Sequence, residues 1–434
     1  MKHVEHVLYR NVNVLPINTD AILPARDVYV DNGIITKIAL AEKTIGQGQS
    51  LEVDGTNKYL MPALWDMHVH LFNDEFMDYL LSWGVTTVVN LWGFPKVLKW
   101  RRQVAAGRRI GPDIYTSGPI IDSLPTYPMI TIAKTPEEAR QAVVDTKKAG
   151  YDFVKIYNNL TEDVYKEVYT ACKELGIRLV GHLPNVHNSD YTGENRDYEI
   201  WQETIEHILF LNDNSVARAA ASGVWLDPTF LVEEIHKDGI DTETRHVIDG
   251  LRPGIRDFYW KTITQLHKKP REGAQKTVRR EAAYSGRMLR EYTSKGGRWM
   301  IGTDSGFSNV VPGYSLHREL ECVVKHGLTP YQALRASTLA GAEFLGLDAR
   351  HGSVEEGKEA QLLLLNKNPL ADIRNTLDIA SLLKRDQYYT AKNLQDIRLK
   401  AHDRRELSVD STLRSFILKM VIKRMLAKRG PKAE

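Results

Sequence analysis

The segment Trp65-Asp66-Met67-His68-Val69-His70 sets two histidines two residues apart at the end of an apolar run. Alternate residues of an extended strand share a face, so both imidazoles turn the same way and can share one metal ion. Alone, such a pair is equally well two polar residues closing a strand. Four more residues change the weighing: Lys155 in Phe153-Val154-Lys155-Ile156-Tyr157, His182 in Leu179-Val180-Gly181-His182, His207 in Ile205-Glu206-His207, and Asp304 in Ile301-Gly302-Thr303-Asp304. Taken singly, His182 or His207 reads as a core histidine and Lys155 as a lysine snorkelling to the surface. Six such residues in register at the ends of apolar segments point instead to a metal centre.

The elements that must position them alternate between short apolar segments and helical stretches from Met61 onward. Eight strands are predicted, at 63–68, 86–91, 114–117, 153–156, 178–181, 204–207, 224–228 and 299–302. Eight strand–helix units over about 240 residues fit an α/β fold of the TIM-type (β/α)8 barrel, whose chemistry sits at the C-terminal strand ends. Helices are predicted at 136–149, capped by Thr135 and closed at Gly150, and at 161–175. The Lys/Arg-rich stretch 231–297 reads as a barrel helix plus an insertion over one face. Strands are also predicted at 6–14, 27–30 and 34–38, and 352–366 offers another around Leu362 to Leu365. Because these flank the barrel, they are expected to form one small β-sandwich domain from both chain ends. The expected divisions are 1–60, 61–350, 351–400 and 401–434.

Composition narrows the function classes. The chain has 434 residues, 42% hydrophobic and 26% charged, and no run of about 20 apolar residues to span a membrane. Lys plus Arg number 58 against 55 for Asp plus Glu, so whole-chain charge gives no reason to expect nucleic acid as a partner. Cys172 and Cys322 make no CxxC pair and no disulfide framework. The N-terminus lacks an apolar signal core after a basic start, and a cytoplasmic location is expected. Segment 411–430 carries Arg414, Lys419, Lys423, Arg424, Lys428 and Arg429 with no acid, interleaved with Leu413, Phe416, Ile417, Met420, Val421 and Leu426. It reads as a basic amphipathic helix that docks on anionic lipid or a second subunit, or packs on its own barrel; a homo-oligomer is expected.

With these motifs the sequence resembles the metal-dependent amidohydrolase superfamily, in its prolidase-like and imidazolonepropionase-like branch. The likeness runs from the N-terminal β segment through Met61-Pro62-Ala63-Leu64-Trp65-Asp66-Met67-His68-Val69-His70 to Gly357-Lys358-Glu359-Ala360-Gln361-Leu362. The resemblance implies two divalent metal ions, zinc being expected. It implies that His68 and His70 hold the more buried ion and that Lys155, carrying a CO2-derived carbamate, bridges both. His182 and His207 would bind the second, while Asp304 binds the first and handles protons. Elementary chemistry agrees with those roles. A lysine ammonium has no lone pair and is repelled by cations, whereas a carbamate is an anionic oxygen ligand. A water bridging two cations becomes hydroxide near neutral pH, and Asp304 can pass its proton to a leaving nitrogen. Two departures stand out: Ala360-Gln361 replaces the frequent Ala-Asp, and His182-Leu183-Pro184-Asn185 lacks the HxxE common in single-metal deaminases. The second favours two metals and hydrolysis.

The expected activity is therefore binuclear metal-dependent cleavage of a C–N bond in a small-molecule amide, dipeptide or cyclic amide by a metal-bridging hydroxide. A lactonase or organophosphate hydrolase on the same site is the rival enzyme reading, and a non-catalytic binding protein the rival of another class. Candidate substrate contacts lie after the strands: Tyr157 first, two residues past Lys155, then Asp122, Tyr127 and Met129 in loop 118–131, Thr229, and loop 305–317. No arginine pair reads as a carboxylate clamp. His317 and Glu319 read as structural or supporting residues. His3, His6, His187, His236, His246, His267, His326, His351 and His402 read as surface residues.

Overall fold

The computed structural model describes residues 1–41, 51–184, 199–208, 211–213, 215–251, 253–266, 272–306 and 310–400. Segment 411–430, loop residues 307–309, and Asn185, His187, His267 and His402 lie outside them. Each of the eight expected strand segments overlaps a strand, the last at one residue only: β1 (Leu64–Val69), β2 (Val85–Asn90), β3 (Asp113–Thr116), β4 (Phe153–Ile156), β5 (Arg178–Gly181), β6 (Thr204–Glu206), β7 (Trp225–Asp227) and β8 (Arg298–Trp299). Most of their residues are buried, as parallel strands covered on both faces must be. β8 is shorter than expected: past Trp299, Met300 N still donates to Leu226 O of β7, but Ile301 N donates to Ala336 O and Thr303 N to His68 O of β1.

All pairings among these strands are parallel. They fall into three sheets rather than one continuous eight-stranded sheet: β1–β2–β3, β4–β5 with the short strands Ile121–Asp122 and Thr131–Ile132, and β6–β7–β8. Isolated contacts link them. Ser117 bridges Phe153 and Val69 bridges Ser305; Glu203 N donates to Leu179 O at 2.8 Å and Met67 N to Ile301 O at 3.0 Å.

The crossover helices follow local chemistry. Pro136–Ala149 starts where the Thr135 side chain accepts from Glu138 N and stops at Gly150, whose φ of 83° a residue with a Cβ adopts at a cost. Glu162–Leu175 buries Val164, Tyr165, Val168 and Ala171 against Val154 and Ile156 of β4. Between β7 and β8 the described residues form the helices Phe230–Asp238, Thr242–Asp249, Pro253–Leu266 and Glu272–Ser294. Among the described residues no helix is long and apolar enough to cross a membrane. Cys172 and Cys322 are buried and unbridged.

Strands from both chain ends join in one nine-stranded sheet. Its seam is Tyr59–Pro62, antiparallel to Gln361–Leu365 and parallel to the end of His6–Val14. The unbroken apolar run is explained by burial on both faces. Leu362 and Leu364 pack with Val12, Val28 and Leu60, whereas Leu363 and Leu365 join the main core.

The sheet is pinned to the starts of the parallel strands. Lys384, buried, donates from Nζ to Gly111 O and to Asp113 Oδ1, both at 2.8 Å; Arg385 Nη2 reaches Asp113 Oδ2 at 2.7 Å. Gln361 accepts from Thr86 Oγ1 at 2.7 Å and donates to Asp113 Oδ2 at 3.2 Å, so a glutamine rather than an acid suits the site beside an ionised aspartate. Burial pushes the Asp113 carboxyl up, but Lys384 and Arg385 outweigh it and hold it below its ordinary value. The stabilisation is therefore fully present above the ordinary aspartate value and is lost as pH falls through the lowered folded value. Asp113→Ala should cost about 3 kcal/mol at neutral pH by denaturant unfolding, the scale for stranding a buried cation. A change within about 0.5 kcal/mol, typical of exposed sites, would show that the pair does not hold the two parts together.

Candidate metal centre

The six residues singled out in the sequence come together at the C-terminal ends of the parallel strands. His70 Nε2 lies 2.6 Å from Asp304 Oδ1, and His68 Nε2 lies 3.5 Å from the same oxygen. His182 Nε2 and His207 Nε2 are 3.1 Å apart. The His68 and His207 rings, 5.3 Å apart by centroid, connect the two pairs. Lys155, 1% exposed, interacts electrostatically with all four imidazoles and with Asp304. Two of the six, His207 (φ 72°) and Asp304 (φ 59°), and Thr229 (φ 47°), which holds His207, sit in the left-handed region just beyond a strand. For a β-branched threonine this conformation is costly, about 1–3 kcal/mol, and strain of this kind collects at functional sites.

Two of the ring nitrogens pointing away from the cluster are hydrogen-bonded. His182 Nδ1 donates to Asn158 Oδ1 at 2.6 Å, and His207 Nδ1 pairs with Thr229 Oγ1 at 2.6 Å. Nδ1 of His68 has charge partners at ion-pair distance, without hydrogen-bond geometry: Glu206 Oε2 at 2.9 Å and Asp227 Oδ2 at 3.4 Å. Such outer partners fix the tautomer and aim Nε2 at the ligand. Burial, then Lys155, holds His182 well below the ordinary imidazolium range; burial brings His207 to about 3 and lowers His70, both against the pull of Asp304. These are neutral imidazoles, the form that binds metal. His68 differs: burial and Lys155 push it down, yet Glu206 and Asp227 raise it to about 9. Burial opposes ionisation of Asp304, but His70, His68 and His207 hold its carboxyl well below the usual range.

His68, His70 and Asp304 thus form a three-donor group with donor atoms within 4.8 Å of one another, and His68 with Glu206 and Asp227 forms a second. Two neutral imidazoles facing each other, an ionised carboxylate, and a buried Lys155 Nζ without a hydrogen-bond partner among the described residues suit divalent cations. Sequence reasoning passed over Glu206, Asp227 and Asp66. All three are buried, and Asp66 accepts from Thr303 Oγ1 at 2.7 Å and Thr303 N at 3.0 Å. The usable signal was an acid inside a strand that should be apolar on both faces: Asp66 in β1, Glu206 in β6, Asp227 in β7.

Tyr157, the first expected substrate contact, packs on His182 with centroids 4.0 Å apart and on Tyr127 at 5.6 Å. Asp122 and Thr229 have structural work instead. Asp122 accepts from Ser123 N, Asn159 N, Asn159 Nδ2 and Thr126 Oγ1, which staples its loop, and Thr229 holds His207. His317 bonds Thr376 Oγ1 and Trp83 O, while Glu319 accepts from Phe230 N and Leu231 N at the start of a helix. His3, His6 and His246 are exposed as expected. His326 and His351 are not surface residues: apolar rings cover them, His326 stacking on Phe230 at 4.5 Å and His351 packing on Trp65 at 5.9 Å.

Comparison with known proteins follows from this geometry. The amidohydrolase family model matches residues 59–386. A Xaa-Pro dipeptidase with methionine bound in its active site superposes with a TM-score of 0.69 at 19% identity, covering 89% of this chain and 100% of its own. A candidate prolidase from Bifidobacterium longum gives 0.69 at 26% identity, covering 92% and 100%. Bottromycin amidohydrolase gives 0.73 at 19% identity, covering 92% and 90%. At 19% identity the likeness shows a shared fold. No curated protein matches the chain.

If Glu206 aims His68, then Glu206→Gln, which keeps shape and removes charge, should weaken metal retention by about tenfold or more, measured by competition with a chelator. Unchanged retention would separate Glu206 from the centre.

Proposed function

Because the chain belongs to the amidohydrolase family and is an enzyme hydrolysing carbon–nitrogen bonds, we propose that it is a binuclear metal-dependent hydrolase of a small amide, dipeptide or cyclic amide. The observation that carries this reading is Lys155: a buried amine without a hydrogen-bond partner among the described residues, set among four imidazoles. Burial lowers the lysine's pKa against Glu206, Asp304 and Asp227, and the neutral amine is the form that adds CO2 to give a carbamate and a proton. In this reading His68, His70 and Asp304 would hold one ion and His182 and His207 the other, and Lys155, once carbamylated, would offer an anionic oxygen ligand to the centre. Two divalent ions, zinc in our reading, supply a lowered water pKa and polarisation of the scissile carbonyl. The three parallel sheets are, in the same reading, arcs of one (β/α)8 barrel, and the nine-stranded sheet is its small β-sandwich domain.

The chain's own residues do the rest. Asp304 lies against His70 and His68 and is an ionised base able to take a proton and return it to the departing nitrogen. Amide cleavage needs that return more than ester cleavage does, since an amine anion is a poor leaving group. Glu206 and Asp227 orient His68, Asn158 orients His182, and Thr229 orients His207. Tyr157, on the His182 ring, borders the reacting carbonyl.

Asp304→Asn keeps the shape and one oxygen donor while removing the base. Turnover of amide substrates should fall about 10²-fold or more with bound metal largely kept, measured on the same samples. Near-normal amide turnover would remove Asp304 from proton transfer.

A further inference from the structure

A continuous series of rings joins one histidine pair to the other around the outside of the centre. Phe72 stacks on His70 with centroids 5.7 Å apart at 16°, and Trp92 meets both His70 (5.7 Å) and Phe72 (5.1 Å) edge-on. Trp92 meets Tyr127 at 5.2 Å, Tyr127 meets Tyr157 at 5.6 Å, and Tyr157 closes on His182 at 4.0 Å. Trp92 is buried, while Phe72, Tyr127 and Tyr157 keep part of their surface open.

The loop that supplies Tyr127 is apolar where loops are usually polar. Leu124, Met129 and Ile132 are exposed by 53%, 38% and 37%; the other large apolar residues so exposed among the described residues, Met1, Leu40 and Leu399, are scattered. This loop is nevertheless held in place. Asp122 staples its base, and Trp92 Nε1 donates to Met129 O at 3.4 Å. A positioned loop that keeps large apolar side chains in water beside a ring wall has the character of a binding surface.

We infer that Phe72, Trp92, Tyr127 and Tyr157, extended outward by Leu124 and Met129, form the specificity subsite of this centre. It takes a flat aromatic or bulky apolar group carried on the scissile amide. The inference rests on the hydrolytic reading above and narrows its substrate class: both ends of the arc are histidines of the donor cluster, so a group lying on the rings brings its amide to the centre.

The test uses the metal-loaded full chain and two matched pairs of amides, each pair differing only in methyl against 2-naphthyl, on the acyl side in one and the amine side in the other. In at least one pair the naphthyl member should have kcat/KM about tenfold or more above its methyl partner, the scale of apolar pocket discrimination. Tyr127→Ala and the double change Leu124→Ser with Met129→Ser should reduce that preference to about threefold or less, whereas Tyr127→Phe should keep it. Tyr127, Leu124 and Met129 are partly or largely exposed, and circular dichroism checks each variant's fold. Equal kcat/KM within both pairs, or a preference that survives Tyr127→Ala, overturns the subsite. Binding of 2-naphthalenemethanol, which has no amide to cleave, is followed in parallel by fluorescence. If no amide is hydrolysed the enzymatic reading fails by itself; naphthyl binding weakened by Tyr127→Ala would still support the subsite, and no binding would overturn it.

Discussion

A lysine amine cannot end in a protein interior among imidazoles unless something answers its charge or removes it, and much of this molecule is arranged around Lys155. Its Nζ is buried with Glu206, Asp227 and Asp304 as the carboxylates that act on it. Those acids are themselves costly to bury and must be satisfied in turn. Asp227 accepts from Gly302 N at 2.8 Å, and Glu206 accepts from Thr204 Oγ1 at 2.6 Å. Burial opposes ionisation of both acids: Lys155 and His68 outweigh it at Glu206, which stays ionised, while Asp227 is pushed upward. The close packing reaches the backbone. A Cβ at Gly302 would stand 2.3 Å from Asp227 Oδ2 and 2.4 Å from His68 Cβ, so only glycine lets the chain beyond β8 pass against the histidine.

From that centre the structure separates chemistry from support along the strands. At their C-terminal ends lie the imidazoles, Asp304 and the strained residues His207 and Thr229. At their starts, Asp113 meets Lys384, Arg385 and Gln361 of the nine-stranded sheet.

How much of this was legible in the sequence depends on whether a local pattern or a distant partner decides the outcome. His68 and His70 could be read because strand alternation alone puts them on one face, and β4 and β5 have the expected bounds because their apolar runs are short and sharply ended. The helix Pro136–Ala149 was legible from its cap and its terminal glycine. Glu206 and Asp227 were missed because each is an acid in a short strand whose partner, His68, arrives from another part of the chain. His326 and His351 went astray for the same reason: Phe230 and Trp65, which cover them, are remote in sequence. Short apolar segments announced the strands at 6–14, 27–30, 34–38 and around Leu362 to Leu365, and a β domain made from both chain ends, but not the remaining strands or the single nine-stranded sheet, since pairing is set by contacts such as Leu363 with Met61.

The most direct test of the account is metal stoichiometry of Lys155→Ala beside the unaltered protein, measured by elemental analysis after dialysis together with amide turnover. A bridging carbamate predicts about two divalent ions per chain in the unaltered protein and about one or fewer in the variant. Turnover should be lost with the second ion, and added short carboxylic acids should restore part of both by supplying the missing anion. Full metal occupancy with normal turnover in Lys155→Ala would contradict the bridge and, with it, the binuclear centre.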